Sequence, residues 1–244
     1  LVRDTEAVGG VADLLTAAVT RLDAEGIATI HVRARPAFYS PAQVAVQFAL
    51  ANLGFRVAAC EINHHIDLSG LDSADDYLTA LRPPARRAVR HALHEPYLFT
   101  EADDEGGWAT GYGILAANRA AKGRRLSLSL DYVRAARDAF PGRIRMYLLV
   151  HAGTTCAAAL VYRVTRRRDL VVAWGDAGHD LARSPMNLLA HRLVDTALSD
   201  GVLSLDLGIS SVAGTPDRGL CRFKRSILAR ETLRLDLVRE RDAR

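Results

Sequence analysis

The chain has 244 residues, a formal net charge of +4, and proportions of hydrophobic (49%) and charged (25%) residues that are ordinary for globular proteins. This composition excludes a disordered chain, and the charge is too low to indicate a dedicated nucleic-acid-binding protein. One bias stands out, because lysine occurs only as Lys122 and Lys224 and the other basic residues are arginines.

The first quarter of the chain alternates helices with strands. Apolar residues at helical spacing predict a helix over Val8–Ala24, which a glycine ends. Strands are predicted around Ile30 and over 55–66, on either side of a helix, Ala42–Asn52, that a Ser-Pro pair opens. The polar, turn-rich stretch 69–76 follows and is the best candidate for a domain boundary.

The rest of the chain combines helices with an antiparallel meander of three strands. The predicted elements are, in order, an arginine-rich helix 77–94 interrupted at Pro83-Pro84, strand 97–101, loop 103–107, helices 112–121 and 129–140, strands 144–151, 155–165 and 170–175, helix 187–198, strand 202–207, helix 216–228 and strand 230–238. A meander followed by a strand–helix–strand crossover predicts a mixed sheet with one parallel pair. Such a pair often opens at one end, and we expect a ligand to enter there.

Cysteine use and hydropathy bear on the compartment. The cysteines Cys60, Cys156 and Cys221 are far apart and have no disulfide or metal-binding spacing, which predicts a reduced, cytoplasmic protein. The longest apolar runs are much shorter than the about 20 residues of a membrane span. His64 and His65 precede Asp67, but no third ligand has a metal-binding spacing, so no metal site is predicted.

Four motifs follow one another in a recognisable order. They are a helix end with Asn-Arg and Lys-Gly (112–123), Phe-Pro-Gly before the meander (140–142), an Asp-x-Gly-x-Ser strand end (204–211), and Gly-Leu-x-x-Phe-Lys in the next helix (219–226). Together they resemble the FemAB-type transferases and their polysaccharide-pathway relatives within the GNAT superfamily of acyltransferases.

The resemblance implies an α+β fold in which a GNAT-like mixed sheet is flanked by helices. Residues 69–244 would form a complete GNAT-like domain, and 1–68 the C-terminal half of a second, partial GNAT-like unit. Because the chain begins at Leu1 and not at Met, we expect that natural sequence is missing before this second unit or that the unit is reduced.

The resemblance also implies an acyl or aminoacyl transfer that forms an amide on an amine of a cell-envelope or polysaccharide precursor. The donor would be aminoacyl-tRNA or acyl-CoA, the acceptor a small-molecule or lipid-linked amine, and tRNA a candidate partner. Two alternatives stay open. One is an acyl-CoA-dependent N-acetyltransferase for a small amine or nucleotide sugar, and the other is a catalytically silent GNAT-like binding module.

Acyl transfer needs a cation or fixed donor for the oxyanion and a group that handles the proton of the amine. Lys224 matches the Phe-Lys position of the family and is the candidate cation, unless it is a solvated helix residue. Asp206 alternates with leucines and precedes a glycine. It would orient or deprotonate the amine, or it would only close a turn.

Other residues are candidates for binding. The candidate cofactor-binding residues are Arg183, Asn187, Ser210 and Ser211, and the candidate substrate-binding residues are Tyr112, Asn118, Trp174, Asp176 and Phe223. Each has a plainer alternative, such as core packing for the aromatic side chains and capping for the serines. Arginines at 82, 86, 87 and 90 and at 166–168 would bind tRNA or a polyanionic lipid-linked substrate, or form solvated surfaces.

The turn before helix 187–198 departs from the pattern of GNAT enzymes that bind acyl-CoA. In those enzymes a glycine-rich turn holds the pyrophosphate against backbone N–H groups. This chain has Gly178 but no second glycine, and Pro185 removes a backbone donor. The departure favours a FemAB-type donor or an altered site for CoA.

Overall fold

The structure is a computed structural model that describes residues 8–179 and 183–241. The chain divides into two compact units. Among the described residues, unit 1 contains 8–64, 209–221 and 231–241, and unit 2 contains most of 65–208 together with 222–230.

Each helix and strand predicted from the sequence has a counterpart. In chain order the elements are α1 (Val8–Ala24), β1 (Thr29–Arg33), a short 3-10 helix (Ala37–Tyr39), α2 (Ala42–Asn52), β2 (Arg56–Asp67), α3 (Ala74–Ala80), α4 (Pro83–Leu93), β3 (Tyr97–Glu101), α5 (Glu105–Ala120), α6 (Leu130–Ala139), β4 (Ile144–His151), β5 (Thr154–Thr165), β6 (Arg168–Asp176), α7 (Pro185–Ser199), β7 (Ser204–Ile209), β8 (Ser211–Val212), β9 (Thr215–Pro216), α8 (Arg218–Ser226) and β10 (Arg230–Glu240).

Two local features differ from the sequence prediction. Helix α5 begins inside the predicted loop 103–107, because the side chain of Asp104 caps it by accepting a hydrogen bond from the N–H of Gly107 at 2.7 Å. The small hairpin of β8 and β9 was not predicted, since strands of two residues are too short to show an alternating pattern.

Unit 2 contains the predicted meander and crossover. Its strands lie in the order β7-β6-β5-β4-β3. The pairs from β3 to β6 are antiparallel, and β6 pairs with β7 in parallel after the chain has passed through α7. The predicted mixed sheet is therefore confirmed.

Helices cover both faces of this sheet, and each face has its own hydrophobic core. The first core contains side chains of α3, α4 and α7 together with Tyr147 and Leu149 of β4. The second contains side chains of α5 and α6 together with Met146 and Leu148 of the same strand. Alternate residues of β4 thus point to opposite cores, which explains why the strand is apolar throughout.

An ionic network links three strands of unit 2 to the end of α7. Arg145 and Arg163 both contact Asp169, which is buried, and both contact Asp200, at 2.8 and 2.6 Å. Burial alone would raise the pKa of Asp200, but the hydrogen bonds from the two arginines hold it below its ordinary value.

Unit 1 joins the beginning of the chain to its end. Strand β1 pairs antiparallel with β10, with Thr29 opposite Glu240, and β2 lies on the other side of β10. Leu50 of α2 and Leu237 of β10 share one core. The last strand therefore belongs with the N-terminal residues, whereas the sequence analysis placed it in the domain 69–244. The interpretation of 1–68 as half of a second GNAT-like unit stays a prediction.

Within the described ranges, no helix is both long enough and apolar enough to cross a membrane.

Candidate active site

The pairing between the parallel strands β6 and β7 of unit 2 is short. Their pairing runs from Arg168 opposite Ser204 to Leu170 opposite Asp206. Strand β6 continues to Asp176, well beyond the last paired residue. The predicted topology implied a ligand site at this end of the strand pair, and that site stays a prediction.

Lys224 of α8 lies at this end of β7. Its Nζ donates hydrogen bonds to the carbonyl oxygens of Leu207 at 2.7 Å and Gly208 at 2.9 Å, and only 1% of the residue is exposed. A buried ammonium group requires such acceptors, because its transfer from water is otherwise costly. The alternative of a solvated helix lysine is therefore wrong, and the structure holds the amino group of Lys224 against these carbonyls near the end of β7.

Asp206 is buried and lies in β7 immediately before Leu207 and Gly208, whose carbonyl groups bind Lys224. Its Oδ1 accepts a hydrogen bond from the N–H of Gly208 at 2.8 Å. Gly208 has a φ of +70°, a conformation that favours glycine, which explains the glycine at this strand end. The turn role that the sequence left open is thus present, and the carboxylate is fixed in place by it.

His65, near the end of β2, is a titratable residue that the sequence analysis did not select for this site. Burial lowers its pKa below the ordinary value of 6.5, although the charges of Asp206 and Asp67 oppose this shift. A histidine with a lowered pKa is neutral at physiological pH and can accept a proton. The sequence showed a histidine pair on a strand, but only the packing of the strands shows that the charge of Asp206 acts on His65.

The carboxyl end of β6 is held by α5. Asn118 donates from Nδ2 to the carbonyl oxygen of Asp176 at 2.9 Å and accepts from Nζ of Lys122 at 2.9 Å. Gly175 lies directly under this side chain, and a Cβ at that position would be only 2.5 Å from Cγ of Asn118. Asp176 in turn accepts from the N–H of Gly178 at 2.9 Å. Asn118 and Asp176 therefore shape the strand end.

The aromatic candidates have structural surroundings. Trp174 of β6 is buried in the first core and packs against Phe223 of α8, with 5.6 Å between ring centroids. Tyr112 of α5 packs against the second core, and its hydroxyl donates to the carbonyl oxygen of Leu128 at 3.0 Å. Trp174, Phe223 and Tyr112 therefore all pack in or against a hydrophobic core, as the plainer alternative predicted. Their role in binding substrate stays a prediction.

The start of α7 departs from a phosphate-binding turn. Residues 180–182 of the predicted turn lie outside the described residues. Pro185 occupies the first helical position, where it supplies no N–H, and Asn187 lies half-buried in the same first turn. Arg183 forms an ion pair with Glu95 at 2.5 Å and approaches the ring of His151 at 3.3 Å. An anionic cofactor would have to compete with Glu95 for this arginine.

Ser210 and Ser211 belong to unit 1 and are buried. Oγ of Ser210 lies 2.9 Å from Nδ1 of His64, and Oγ of Ser211 accepts from the N–H of Ile62 at 2.8 Å. Both hydroxyl groups are engaged within unit 1, so no contact supports the prediction that they bind a cofactor.

Several of the predicted basic residues are on the surface of unit 2. The exposed members are Arg82, Arg87, Arg90, Arg166 and Arg167. Arg86 is half-buried and donates to the carbonyl oxygen of Thr79 at 3.0 Å. The pattern agrees with a basic surface along α4 and a second at the β5–β6 turn.

A family model described as the acetyltransferase (GNAT) domain matches residues 81–225, more than half of the chain. The chain belongs to the GNAT acetyltransferase family. The matched range includes β6, β7 and Lys224. Membership makes this chain an acyltransferase, as the motif resemblance implied.

Solved structures share the fold of this GNAT protein over nearly all of its length. FemX aligns with a TM-score of 0.76 at 13% identity, covering 98% of this chain and 78% of FemX. The C-terminal domain of a candidate lysylphosphatidylglycerol synthetase from Agrobacterium fabrum aligns with a TM-score of 0.63 at 15% identity, covering 93% and 72%. L-PGS from Bacillus licheniformis aligns with a TM-score of 0.61 at 11% identity, covering 94% and 73%. No curated protein sequence matches the chain.

Proposed function

We propose that this GNAT protein transfers an acyl or aminoacyl group to an amine of a cell-envelope or polysaccharide precursor. The observation that carries the proposal is Lys224, a buried basic side chain whose Nζ donates to the carbonyls of Leu207 and Gly208, just beyond the paired part of β6 and β7. The FemAB-type motifs and the shared fold with FemX support an amine on a peptidoglycan or lipid precursor as the acceptor.

In the proposed reaction the acceptor nitrogen attacks the acyl carbonyl carbon of the donor. The new C–N bond forms as the carbonyl oxygen becomes an oxyanion, which the ammonium group of Lys224 would stabilise. Collapse of the tetrahedral intermediate then breaks the bond to the leaving group, a ribose oxygen of tRNA or the sulfur of CoA. The leaving group departs with the proton that the attacking amine loses.

We propose that His65 accepts the proton that the attacking amine loses. Its imidazole is neutral at physiological pH because burial lowers its pKa, and the charge of Asp206 acts on the same ring. When the imidazole takes the proton, the resulting imidazolium would be stabilised by Asp206, which Gly208 holds in place. Asp206 is thereby proposed as a positioning residue rather than as the base.

We further propose that the donor is aminoacyl-tRNA. Pro185 at the start of α7 has no backbone N–H with which to bind a phosphate, and Arg183 is already paired with Glu95. These contacts disfavour a pyrophosphate at the position where GNAT enzymes hold CoA. The exposed arginines of α4 and the β5–β6 turn would instead contact the phosphates of tRNA. A tRNA donor also agrees with the predicted cytoplasmic location.

A binding experiment separates the donors. The unfolding temperature of the full chain is measured with acetyl-CoA, CoA, aminoacyl-tRNA and deacylated tRNA. We expect stabilisation by the two tRNA samples and amide formation only with aminoacyl-tRNA and an amine acceptor. Stabilisation by the CoA compounds alone would support the N-acetyltransferase alternative. The absence of any shift would support the silent binding module and overturn the proposal.

A further inference from the structure

Three side chains that commonly bind metals meet within unit 1. His64 of β2, Cys221 of α8 and Glu231 of β10 each offer one ligand atom, and these atoms all lie within 4.8 Å of one another. His64 and Cys221 are buried, whereas the side chain of Glu231 is 39% exposed. The cluster therefore has two interior ligands and one that faces solvent, through which an ion would enter.

The distances suit a tetrahedral ion. Nε2 of His64 lies 3.4 Å from Oε1 of Glu231. Two ligand atoms that each lie about 2.1 Å from a tetrahedral zinc ion are about 3.4 Å apart, and a thiolate sulfur at about 2.3 Å would be about 3.6 Å from the imidazole nitrogen. The nitrogen and the oxygen already have the required separation. The sulfur lies within 4.8 Å of the other two ligand atoms, at most about 1.2 Å beyond the separation that a tetrahedral ion requires.

Ser210 orients the histidine for this role. Its Oγ lies 2.9 Å from Nδ1 of His64. When Nδ1–H donates to Ser210, the lone pair of Nε2 is directed to the side of Glu231. The backbone of Ser210 is itself held, since its N–H donates to Ile62 at 2.7 Å and its carbonyl accepts from Asp217 at 2.9 Å. A hydrogen-bonded partner on the second ring nitrogen is usual for histidines that bind metals.

We propose that His64, Cys221 and Glu231 bind one Zn²⁺ ion, with a water molecule in the fourth position. A set of one nitrogen, one thiolate sulfur and one carboxylate oxygen suits zinc, which accepts all three. Cys221 carries a thiol that donates to the carbonyl of Ser210 at 3.6 Å, and binding would release its proton as the thiolate forms. The ion would join β2, α8 and β10 and stabilise unit 1. The argument for this ion does not rest on the acyl transfer proposed above.

A cobalt titration tests the site. Protein freed of metal by a chelator is titrated with Co²⁺, which gives a sulfur-to-metal charge-transfer absorption when a thiolate binds it. We expect this absorption to saturate at one equivalent and to disappear when Zn²⁺ is added. Cys221→Ser should abolish the absorption and weaken Zn²⁺ binding by about tenfold or more. Cys60→Ser, at an exposed cysteine, is the matched control and should keep both.

A second variant guards against misfolding. Glu231→Gln changes a partly exposed side chain and should fold, as circular dichroism would show. We expect Zn²⁺ to raise the unfolding temperature of the wild type but not of this variant. The proposal is overturned if folded wild type gains no cobalt absorption, or if Cys221→Ser leaves that absorption unchanged. Because the readouts are absorption and stability, a failure of the proposed transfer function would not affect them.

Discussion

Lys224 illustrates how a side chain acquires its chemistry from burial. The motif Gly-Leu-x-x-Phe-Lys selected this residue, but the motif is equally compatible with a solvated helix surface. The structure shows that Lys224 is not on such a surface, because its Nζ donates to two carbonyl groups and only 1% of the residue is exposed. His65 shows the reverse case, because no motif marks it and only its buried surroundings lower its pKa.

We expect Lys224→Met to lose at least about 100-fold in kcat, because removal of one oxyanion-stabilising group typically costs about 10²–10³. The measurement is single-turnover amide formation with aminoacyl-tRNA, together with the unfolding temperature. Arg222→Met removes an exposed cation from the same helix and should keep its activity. A folded Lys224→Met enzyme within about threefold of the wild-type rate would remove Lys224 from the proposed mechanism.

We expect the acid limb of kcat/KM against pH to lie below 6.5, because the proposed base must be neutral and burial lowers the pKa of His65 from that value. Activity should rise with pH through this lowered pKa and then level off. His65→Gln should lower the rate and remove the limb. An unchanged limb in this variant would show that another group accepts the proton.

At the scale of elements, the close contact of α5 with β6 holds the carboxyl end of that strand in place. The side chain of Asn118 lies on Gly175 and binds the carbonyl of Asp176, so any larger residue at Gly175 displaces the strand or the helix. The sequence contained both the asparagine and the glycine. Their contact was not predictable, because it joins residues of two elements that are far apart in the chain.

We expect Gly175→Ala to lower the free energy of unfolding by about 1–3 kcal/mol, the usual cost of overpacking a close contact. Urea unfolding measures this change. Gly113→Ala is the matched control, because a Cβ there meets nothing within 4 Å and the residue is an exposed position of the same helix α5. Alanine should stabilise that helix by about 0.5–1 kcal/mol. Equal effects of the two substitutions would contradict the described contact.

The exposed arginines of α4 form a basic surface on that helix. If they bind tRNA phosphates as proposed, Arg87→Gln combined with Arg90→Gln should weaken tRNA binding and reduce the dependence of log Kd on log salt by about 2. Filter binding over a series of salt concentrations provides both numbers. An unchanged slope would indicate that these arginines form only a solvated surface.

At the scale of the whole molecule, buried histidines couple stability to pH. Burial lowers the pKa of His65 and His191 from 6.5, so the unfolded chain binds protons near this pH that the folded chain does not. The free energy of unfolding is therefore expected to fall as pH decreases from 6.5 towards the lowered values. His191 lies within α7 beside Tyr77, with 6.1 Å between ring centroids, and the sequence did not predict its burial.

His191→Gln should remove one of these protons and make the pH dependence less steep. The measurement is urea unfolding between about pH 5 and pH 7.5, where the slope gives the difference in bound protons. A His191→Gln slope equal to that of the wild type would place the coupling elsewhere.

The amino-acid sequence by itself determined the elements, their order and hence the GNAT fold. Helical spacing, capping residues and strand alternation are local, and the meander with its crossover leaves few topologies. Only the tertiary structure decided which side chains are buried or meet. The hydrogen bonds of Lys224 to two carbonyls join α8 to β7. The effect of the Asp206 charge on His65 and the cluster of His64 with Cys221 and Glu231 join segments that are distant in the chain. Burial, pKa and the distances between ligand atoms depend on that packing, and no local pattern records them.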